Sequence, residues 1–115
     1  MRRWLAFLLL FIPALALSAE AVVTRVIDGD TIEAEGRDVR LQGIDAPESA
    51  QPHGNEATAA LAGLIRNRRV RLEIQGTNRY DRPIAVLHSE GPNVNRWLVR
   101  NGHAWEYDEY SKDPA

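Results

Sequence analysis

The stretch that decides the fold is AVVTRVIDGDTIEAEGRDVRLQGI, residues 21–44, which contains three short strand-like segments separated by turn residues. The first segment is rich in β-branched residues and runs into Asp28-Gly29, a pair that favours a two-residue hairpin turn. Because successive side chains of a strand point to opposite faces, Val39 and Leu41 of the third segment share one face. The stretch therefore predicts an antiparallel, three-stranded meander with one apolar face.

The remaining segments complete a small barrel. Five apolar residues at helical spacing predict an amphipathic helix: Ala57, Ala60, Leu61, Leu64 and Ile65. Two strands follow, at 69–74 and at 83–88, and the second is expected to be covered on both faces. A short helix is predicted to begin at the capping residue Asn93 and to end at Gly102. This order predicts a mainly β protein with helices, a five-stranded Greek-key OB-fold barrel with two short helices.

The first nineteen residues have the layout of a secretory signal peptide. Two arginines precede an uncharged apolar stretch from Trp4 to Ala19, which is short of the roughly 20 residues that a membrane-spanning helix needs. We expect cleavage after Ala19, with Ala21 as a second position; an uncleaved membrane anchor is the lesser alternative. The expected product is one domain over residues 20–115, secreted or periplasmic, monomeric and without stable membrane association.

Charge and cysteine content narrow the classes of function. All sixteen acidic residues follow residue 19, whereas two of the fourteen basic residues precede it, so the expected mature chain carries a net charge of −4. Since nucleic-acid-binding domains are usually basic, any site for a polyanion must be local. The chain has no cysteine, so its stability depends on a single hydrophobic core without disulfides.

Charged residues cluster where the predicted strands end. Asp30 follows the first turn, Arg40 lies in the third strand, and Asp45 and Glu48 come after it. If the meander pairs as predicted, Asp30 and Asp45 approach each other, and with the carbonyl of Ala46 they form an oxygen site suited to Ca²⁺ or Mg²⁺. Glu48 would lie beside the metal, free to accept a proton from water, and Arg40 offers a planar fork for a phosphate.

A polar loop, residues 75–82, adds Arg79, Tyr80 and Arg82. Taken singly, a D-G-D turn or a DAPE segment is more often an ordinary loop, and two arginines in a loop are more often simply solvated. From residue types and spacing alone, a metal and phosphate site is therefore one hypothesis and a solvated set of loops is the other.

Four segments, in order, resemble the thermonuclease family of secreted staphylococcal-nuclease-like domains: VIDGDTI, VRLQGIDAPE, NRYDRPIA and VNRWLVRNGHAW. The resemblance extends from about Val22 to Tyr110. It implies an OB-fold nuclease that uses Ca²⁺ to hydrolyse phosphodiester bonds in DNA and RNA.

The resemblance also implies roles for individual residues. It implies that the metal is bound by the side chains of Asp30 and Asp45 and by the carbonyl of Ala46. Glu48 is implied to be the general base. The implied ligands of the scissile phosphate are Arg40 and Arg82, and the residues implied to line the nucleotide pocket are Tyr80, Tyr107 and Tyr110. Arg79 is expected to bind substrate through its charge, as a cation of the same loop.

Two departures from the family pattern carry expectations. Asp81 stands where glycine is more usual before the arginine, and we expect it to stiffen the loop and to weaken substrate binding. Members of the family continue beyond the tail at 107–115 into a third helix, so we expect a truncated chain that is at best marginally stable alone.

Two rival functions remain for the same sequence. One is a non-catalytic OB-fold module that binds nucleic acid or another polyanion; such a module is expected to lose the acidic and arginine positions. The other is a calcium-binding envelope protein, which would need Asp30 and Asp45 but not both arginines. The presence of Glu48, Arg40 and Arg82 favours the enzyme.

Overall fold

The computed structural model describes residues 17–106, and the helices and strands below lie within them. In chain order these elements are β1 (Leu17–Asp28), β2 (Thr31–Ala34), β3 (Arg37–Leu41), β4 (Ile44–Asp45), α1 (Gly54–Ile65), β5 (Arg69–Thr77), β6 (Pro83–His88), α2 (Val94–Arg100) and β7 (Trp105–Glu106). Residues 1–16, and with them most of the predicted signal peptide, lie outside the described range, as does the tail at 107–115. No helix in the described part of the chain is long and apolar enough to cross a membrane.

Five strands close into a barrel in the order β1-β2-β3-β6-β5. The predicted meander is confirmed, because β2 pairs antiparallel with both β1 and β3. The barrel closes through β1, which also pairs with β5, and through a parallel pairing of β3 with β6. The predicted mainly β fold, a five-stranded OB-fold barrel with two helices, is therefore confirmed.

Strand β1 is long because it pairs with two neighbours in succession. Residues 17–22 pair with β5, and the part from Val23 onward pairs with β2, with register irregularities after Val23 and after Val26. Such irregularities bend a strand and increase its twist, as closure of a small barrel requires. Cleavage after Ala19, which remains a prediction, would remove three of the residues that pair with β5.

The core fills the barrel and extends beneath both helices. Helix α1 packs against β1 and buries its predicted face through Ala57, Leu61 and Ile65, while Ala60 and Leu64 are partly covered. In β6 the face that points into the barrel is buried and the other face is half-buried, so this strand is only partly covered on its second side.

Helix α2 has the ends that its sequence predicts. The side chain of Asn93 accepts a hydrogen bond from the backbone N–H of Arg96 at 3.0 Å. At the other end Gly102 has a φ of +80°, and the N–H of His103 donates to the carbonyl of Leu98 at 2.9 Å. This is the Schellman ending, in which a left-handed residue allows the last free carbonyls to be satisfied.

Outside the barrel, β4 and β7 form a two-stranded ribbon that the sequence did not predict. Ile44 pairs with Glu106, and Asp45 pairs with Trp105. Each strand has two residues, too few for the alternation of side chains to be recognised in the sequence. The ribbon fixes the position of Asp45.

Candidate active site

The turn between β1 and β2 places Asp30. Asp28 pairs with Thr31, so the turn residues are Gly29 and Asp30, and the prediction of a turn at Asp28-Gly29 was wrong by one residue. Gly29 has no positive φ; a Cβ there would lie 2.7 Å from the Cβ of Ala46 and 3.0 Å from a side chain of α1. The glycine is therefore needed for close packing, and the turn lies directly against the segment that follows β4.

The carboxylate of Asp30 is buried and fully paired. One oxygen, Oδ1, lies 2.8 Å from Nη1 of Arg40 and accepts a hydrogen bond from the hydroxyl of Thr31 at 3.0 Å. The other, Oδ2, accepts a hydrogen bond from the backbone N–H of Ala46 at 2.8 Å. These contacts fix the carboxylate at the junction of β2, β3 and the loop after β4.

Arg40 links the two aspartates that were predicted to bind the metal. Its Nη2 lies 3.6 Å from Oδ1 of Asp45 and donates to the carbonyl of Ile44 at 3.1 Å, while its Nη1 pairs with Asp30. The structure thus brings together Asp30, Arg40, Asp45 and Ala46, as the sequence predicted. Asp45 is the most accessible of the carboxylates that contact Arg40, with a side chain 38% exposed.

A third carboxylate, Asp28, belongs to the same cluster and was not selected from the sequence. Its Oδ1 accepts a hydrogen bond from the N–H of Asp30 at 3.3 Å. Burial, followed by the hydrogen bond to and the negative charge of Asp30, raises the pKa of Asp28 to about 6. The D-G-D motif contains this residue, but its spacing does not indicate that both aspartates point into one cluster.

The pKa values of the other two carboxyl groups, Asp30 and Asp45, shift in opposite directions. Burial opposes ionisation of Asp30, but hydrogen bonds from Asp28 and the Ala46 N–H, together with Arg40, outweigh it and hold the pKa of Asp30 below its usual value. At Asp45, burial and the negative charge of Asp30 raise the pKa despite Arg40. The Arg40 guanidinium therefore lies near three carboxyl groups and contacts two of them, Asp30 and Asp45. The surroundings of Asp28 and Asp45 disfavour the ionised form.

This donor set suits a hard cation. A bound cation would relieve the mutual repulsion that raises the pKa of Asp28 and Asp45, and carboxylate oxygens are the ligands that Ca²⁺ prefers. Within residues 17–106 no three acidic or histidine side chains converge as a complete metal site, so a carbonyl, water and substrate would have to supply the remaining ligands. The contact that fixes Ala46 is made by its N–H; its carbonyl as a metal ligand remains a prediction.

The loop that carries Glu48 is held through its backbone. The N–H of Glu48 donates to Oε1 of Gln51 at 2.7 Å, and the N–H of Gln51 donates back to the carbonyl of Glu48 at 2.8 Å. Gly54 donates to the carbonyl of Gln51, and a Cβ at Gly54 would overlap the carbonyl oxygen of Glu48. These contacts fix the backbone of Glu48. Its carboxylate is exposed to solvent and has no hydrogen-bond or ion-pair partner among the described residues.

The second predicted loop is organised by Asn78. Its Oδ1 accepts hydrogen bonds from the N–H groups of Tyr80 and Arg82, at 2.8 and 3.0 Å. Asp81 has a φ of +67°, a left-handed conformation that explains why glycine is more usual at this position. An aspartate tolerates this conformation better than most residues, so the loop keeps its shape.

Arg79, Tyr80 and Arg82 all lie on this loop. The guanidinium of Arg79 stacks over the ring of Tyr80 at 5.5 Å, and Tyr80 is 73% exposed. The Nε of Arg82 is buried and has no hydrogen-bond partner among the described residues. Tyr80 and Arg82 line a cleft of about 500 Å³ with Arg37, Asp38, Asp81 and Pro83, which we call the loop cleft.

The structure gives positions for all but two of the predicted site residues, whose roles stay predictions, and adds three residues that the sequence did not single out. Tyr107 and Tyr110 lie outside the described residues. The residues that the sequence missed are Asp28, Gln51 and Asn78. Asn78 and Gln51 act through side chain to backbone contacts within their own loops, and polar residues of this kind are too common in loops to be singled out by sequence.

Comparison with known proteins gives a consistent set of relatives. The family model described as staphylococcal nuclease homologue matches residues 38–115. An uncharacterized endonuclease of Haemophilus influenzae is 38% identical over 95% of this chain and 66% of its own length. An uncharacterized endonuclease of Escherichia coli O157:H7 is 37% identical over 100% of this chain and 80% of its own length. A probable staphylococcal-like nuclease of Oryza sativa subsp. japonica, CAN1, is 34% identical over 75% of this chain and 26% of its own length. The chain thus spans just under two thirds of the first relative and most of the second.

Proposed function

Because this chain belongs to the staphylococcal nuclease family, we propose that it is a calcium-dependent nuclease that hydrolyses phosphodiester bonds in DNA and RNA. The observation that carries the proposal is the cluster of Asp30, Arg40 and Asp45 beside the free carboxylate of Glu48. A non-catalytic module has no need for an unpaired glutamate at this place, whereas hydrolysis needs a group that accepts a proton from water.

Within this proposal, Asp30, Asp45 and the carbonyl of Ala46 would hold the calcium ion, and the neighbouring Asp28 would add negative charge to the site. The ion, when bound, would supply positive charge that stabilises the developing negative charge on the phosphate. Asp30 is well suited to its role because its contacts with Arg40 and the Ala46 N–H fix it before any ligand arrives.

The two arginines are proposed to contact the scissile phosphate. Arg40 is held in place by the carboxylates, so it presents a fixed positive charge at low entropic cost. Arg82 brings a buried Nε that has no hydrogen-bond partner within residues 17–106, and an unpaired donor of this kind is stabilised when an anion accepts its hydrogen bond. Arg79 and Tyr80 are proposed to contact the nucleotide in the loop cleft.

Glu48 is proposed to be the general base. Its backbone is fixed by Gln51, and its side chain is exposed and unpaired within residues 17–106. A carboxylate in that condition is able to take the proton of a water molecule that attacks the phosphorus atom.

We also propose that the protein is exported and acts as a monomer in the periplasm or outside the cell. The support for export is the pattern of residues 1–19, with two arginines followed by an uncharged apolar stretch.

Two substitutions test the assigned roles. We expect Glu48→Gln to reduce kcat by roughly 10²-fold or more while the protein still folds, because the amide cannot accept the proton.

Arg82→Ala should reduce kcat more than it raises KM, since the contact of Arg82 strengthens as charge develops on the phosphate. The matched controls are Glu90→Gln and Arg96→Ala, which change exposed residues outside the site. Parental kcat in both Glu48→Gln and Arg82→Ala would place the reaction elsewhere on the protein.

A further inference from the structure

A second cleft lies beside the loop that carries Glu48, and the proposed mechanism does not use it. Its volume is about 350 Å³. Five of its lining residues carry rings: Pro47, Pro52, His53, His103 and Trp105. No lysine or arginine lines it. We call it the ring cleft; its walls suit a flat group, and they carry no lysine or arginine that would hold a phosphate.

Two rings of this cleft, those of His53 and His103, pack against each other. The ring centroid of His103 lies 5.3 Å from that of His53 and 5.9 Å from that of Trp97, with interplanar angles of 16° and 24°. Nε2 of His53 also lies within hydrogen-bond distance of Nδ1 of His103, at 3.1 Å. A platform of this kind is formed before a ligand arrives, so a stacked ligand would not have to order it.

Trp105 is a large aromatic residue of this cleft that is exposed to solvent. It is 56% exposed, and the large hydrophobic residues exposed in the described part of the chain are Tyr80 and Trp105. Tyr80 lines the loop cleft and Trp105 lines the ring cleft. Each cleft therefore has one solvent-exposed aromatic ring, although the two clefts share no lining residue.

The ring cleft begins next to the proposed metal and phosphate site. Trp105 is the strand partner of Asp45 in the β4–β7 ribbon, and the Cα atoms of such partners lie about 5 Å apart. Pro47 lies between Asp45 and Glu48 in the chain. A nucleic-acid strand whose phosphate is bound by Arg40, next to Asp45, therefore has a neighbouring nucleotide within reach of the cleft.

We propose that the ring cleft binds a nucleobase of the substrate strand, one nucleotide away from the scissile phosphate, by stacking on Trp105 and the histidine platform. This subsite rests on the proposed nuclease function. Stacking on aromatic side chains accepts any base, because every base has a π face, and it complements the phosphate contacts of the adjacent site. The occupant is therefore the base of a single-stranded or locally opened segment.

Binding of short single-stranded DNA in the presence of Ca²⁺ tests the subsite. The full chain carrying Glu48→Gln is used so that the oligonucleotide stays intact, and affinity is read from the fluorescence anisotropy of a labelled hexanucleotide. Adding Trp105→Ala should lower the affinity about tenfold, whereas Trp105→Phe, which keeps a ring, should lower it about threefold or less. Thermal melting of each variant identifies any loss of binding that comes from unfolding.

A set of hexanucleotides, each lacking one base, locates the contact. One position should exist at which removal of the base weakens binding to the Glu48→Gln protein but has no further effect once Trp105 is replaced. Tyr80→Ala should give the same coupling at a different position, which serves as the matched control.

The proposed subsite would be overturned if no base position showed coupling to Trp105. It would also be overturned if the protein self-associated with increasing concentration and Trp105→Ala abolished that association, because the cleft would then hold a second copy of the chain. Failure of the nuclease proposal gives a different result, which is that the unsubstituted chain does not hydrolyse DNA in Ca²⁺.

Discussion

At Asp28, burial and the neighbouring Asp30 carboxylate oppose ionisation and raise the pKa to about 6. Near neutral pH the metal-free protein therefore carries a charge at an unfavourable position. Because the folded-state pKa lies above the usual value of 3.8, the contribution of this group to stability declines as the pH rises from about 4 to about 6. A cation bound at Asp30 and Asp45 would remove that penalty.

Asp28→Asn should consequently stabilise the metal-free protein at pH 7 by about 1 kcal/mol, a value reduced from the pKa shift because the carboxyl is only half-buried and solvent screens it. The amide oxygen can still accept the hydrogen bond of the Asp30 N–H. Urea unfolding in chelator should show the gain at pH 7 and none well below pH 3.8, where the carboxyl is neutral in both states. The exposed Asp38→Asn is the control, and an equal gain from it would contradict the assignment to the cluster.

Asp81 offers a second test at the residue scale, because its left-handed backbone and its negative charge act separately. Asp81→Gly should stabilise the protein by about 0.5 kcal/mol through relief of backbone strain, and should lower KM by removing negative charge from the loop cleft. Asn67 has a similar φ of +64°, so Asn67→Gly is a control for strain alone. Urea unfolding and KM at low salt separate the two effects; an unchanged KM in Asp81→Gly would show that its charge does not affect the substrate.

The sequence could predict Asp30 and Arg40 as neighbours because the turn after β1 and the end of β3 are brought together by strand pairing that follows from side-chain alternation, and Asp45 lies only five residues beyond Arg40. It could not predict Asp28 as a member, because that depends on how far the turn is buried against Ala46. Nor could it predict the role of Gln51, which comes from the folded path of the loop at 46–53 and not from a strand or helix pattern.

At the scale of elements, the loop between β4 and α1 is the part that adds the proposed general base to the barrel. It contributes Glu48 at its start and Gln51 in its middle, and its end is packed so closely that Gly54 cannot carry a side chain. The barrel fixes the charge cluster, while this loop fixes the proposed general base.

Gln51→Ala should therefore lower kcat about tenfold with little change in KM, because the Glu48 N–H loses its acceptor and the backbone that carries the proposed general base is no longer fixed. Gln51→Glu, which keeps an oxygen at Oε1, should retain more activity than Gln51→Ala. In the Glu48→Gln background Gln51→Ala should have no further effect on kcat. An equal loss in both backgrounds would mean that Gln51 acts on the fold and not through Glu48.

The barrel strands and both helices could be predicted because each has several residues of clear period and recognisable ends, such as Asn93 and Gly102 around α2. The β4–β7 ribbon could not be predicted, since two residues per strand carry no period. Because the ribbon was not predicted, the contact between Asp45 and Trp105, and with it the ring cleft, could be recognised only in the structure.

At the scale of the whole molecule, the expected mature chain is acidic, with twelve basic and sixteen acidic residues, although its proposed substrate is a polyanion. The structure is consistent with local rather than overall attraction. Arg37, Arg79 and Arg82 lie at or beside the loop cleft, and Arg40 lies within the charge cluster. A bound divalent cation would further reduce the local negative charge of the three aspartates, so metal and substrate are expected to assist each other's binding.

Hydrolysis of single-stranded DNA by the full chain, measured in Ca²⁺, in Mg²⁺ alone and in chelator, tests whether the protein is a calcium-dependent nuclease. A site with few protein ligands tolerates the larger and more flexibly coordinated ion better, so we predict cleavage in Ca²⁺, little cleavage in Mg²⁺ and none in chelator. Cleavage that persists in chelator, or that is equal in Mg²⁺ alone, would contradict this prediction.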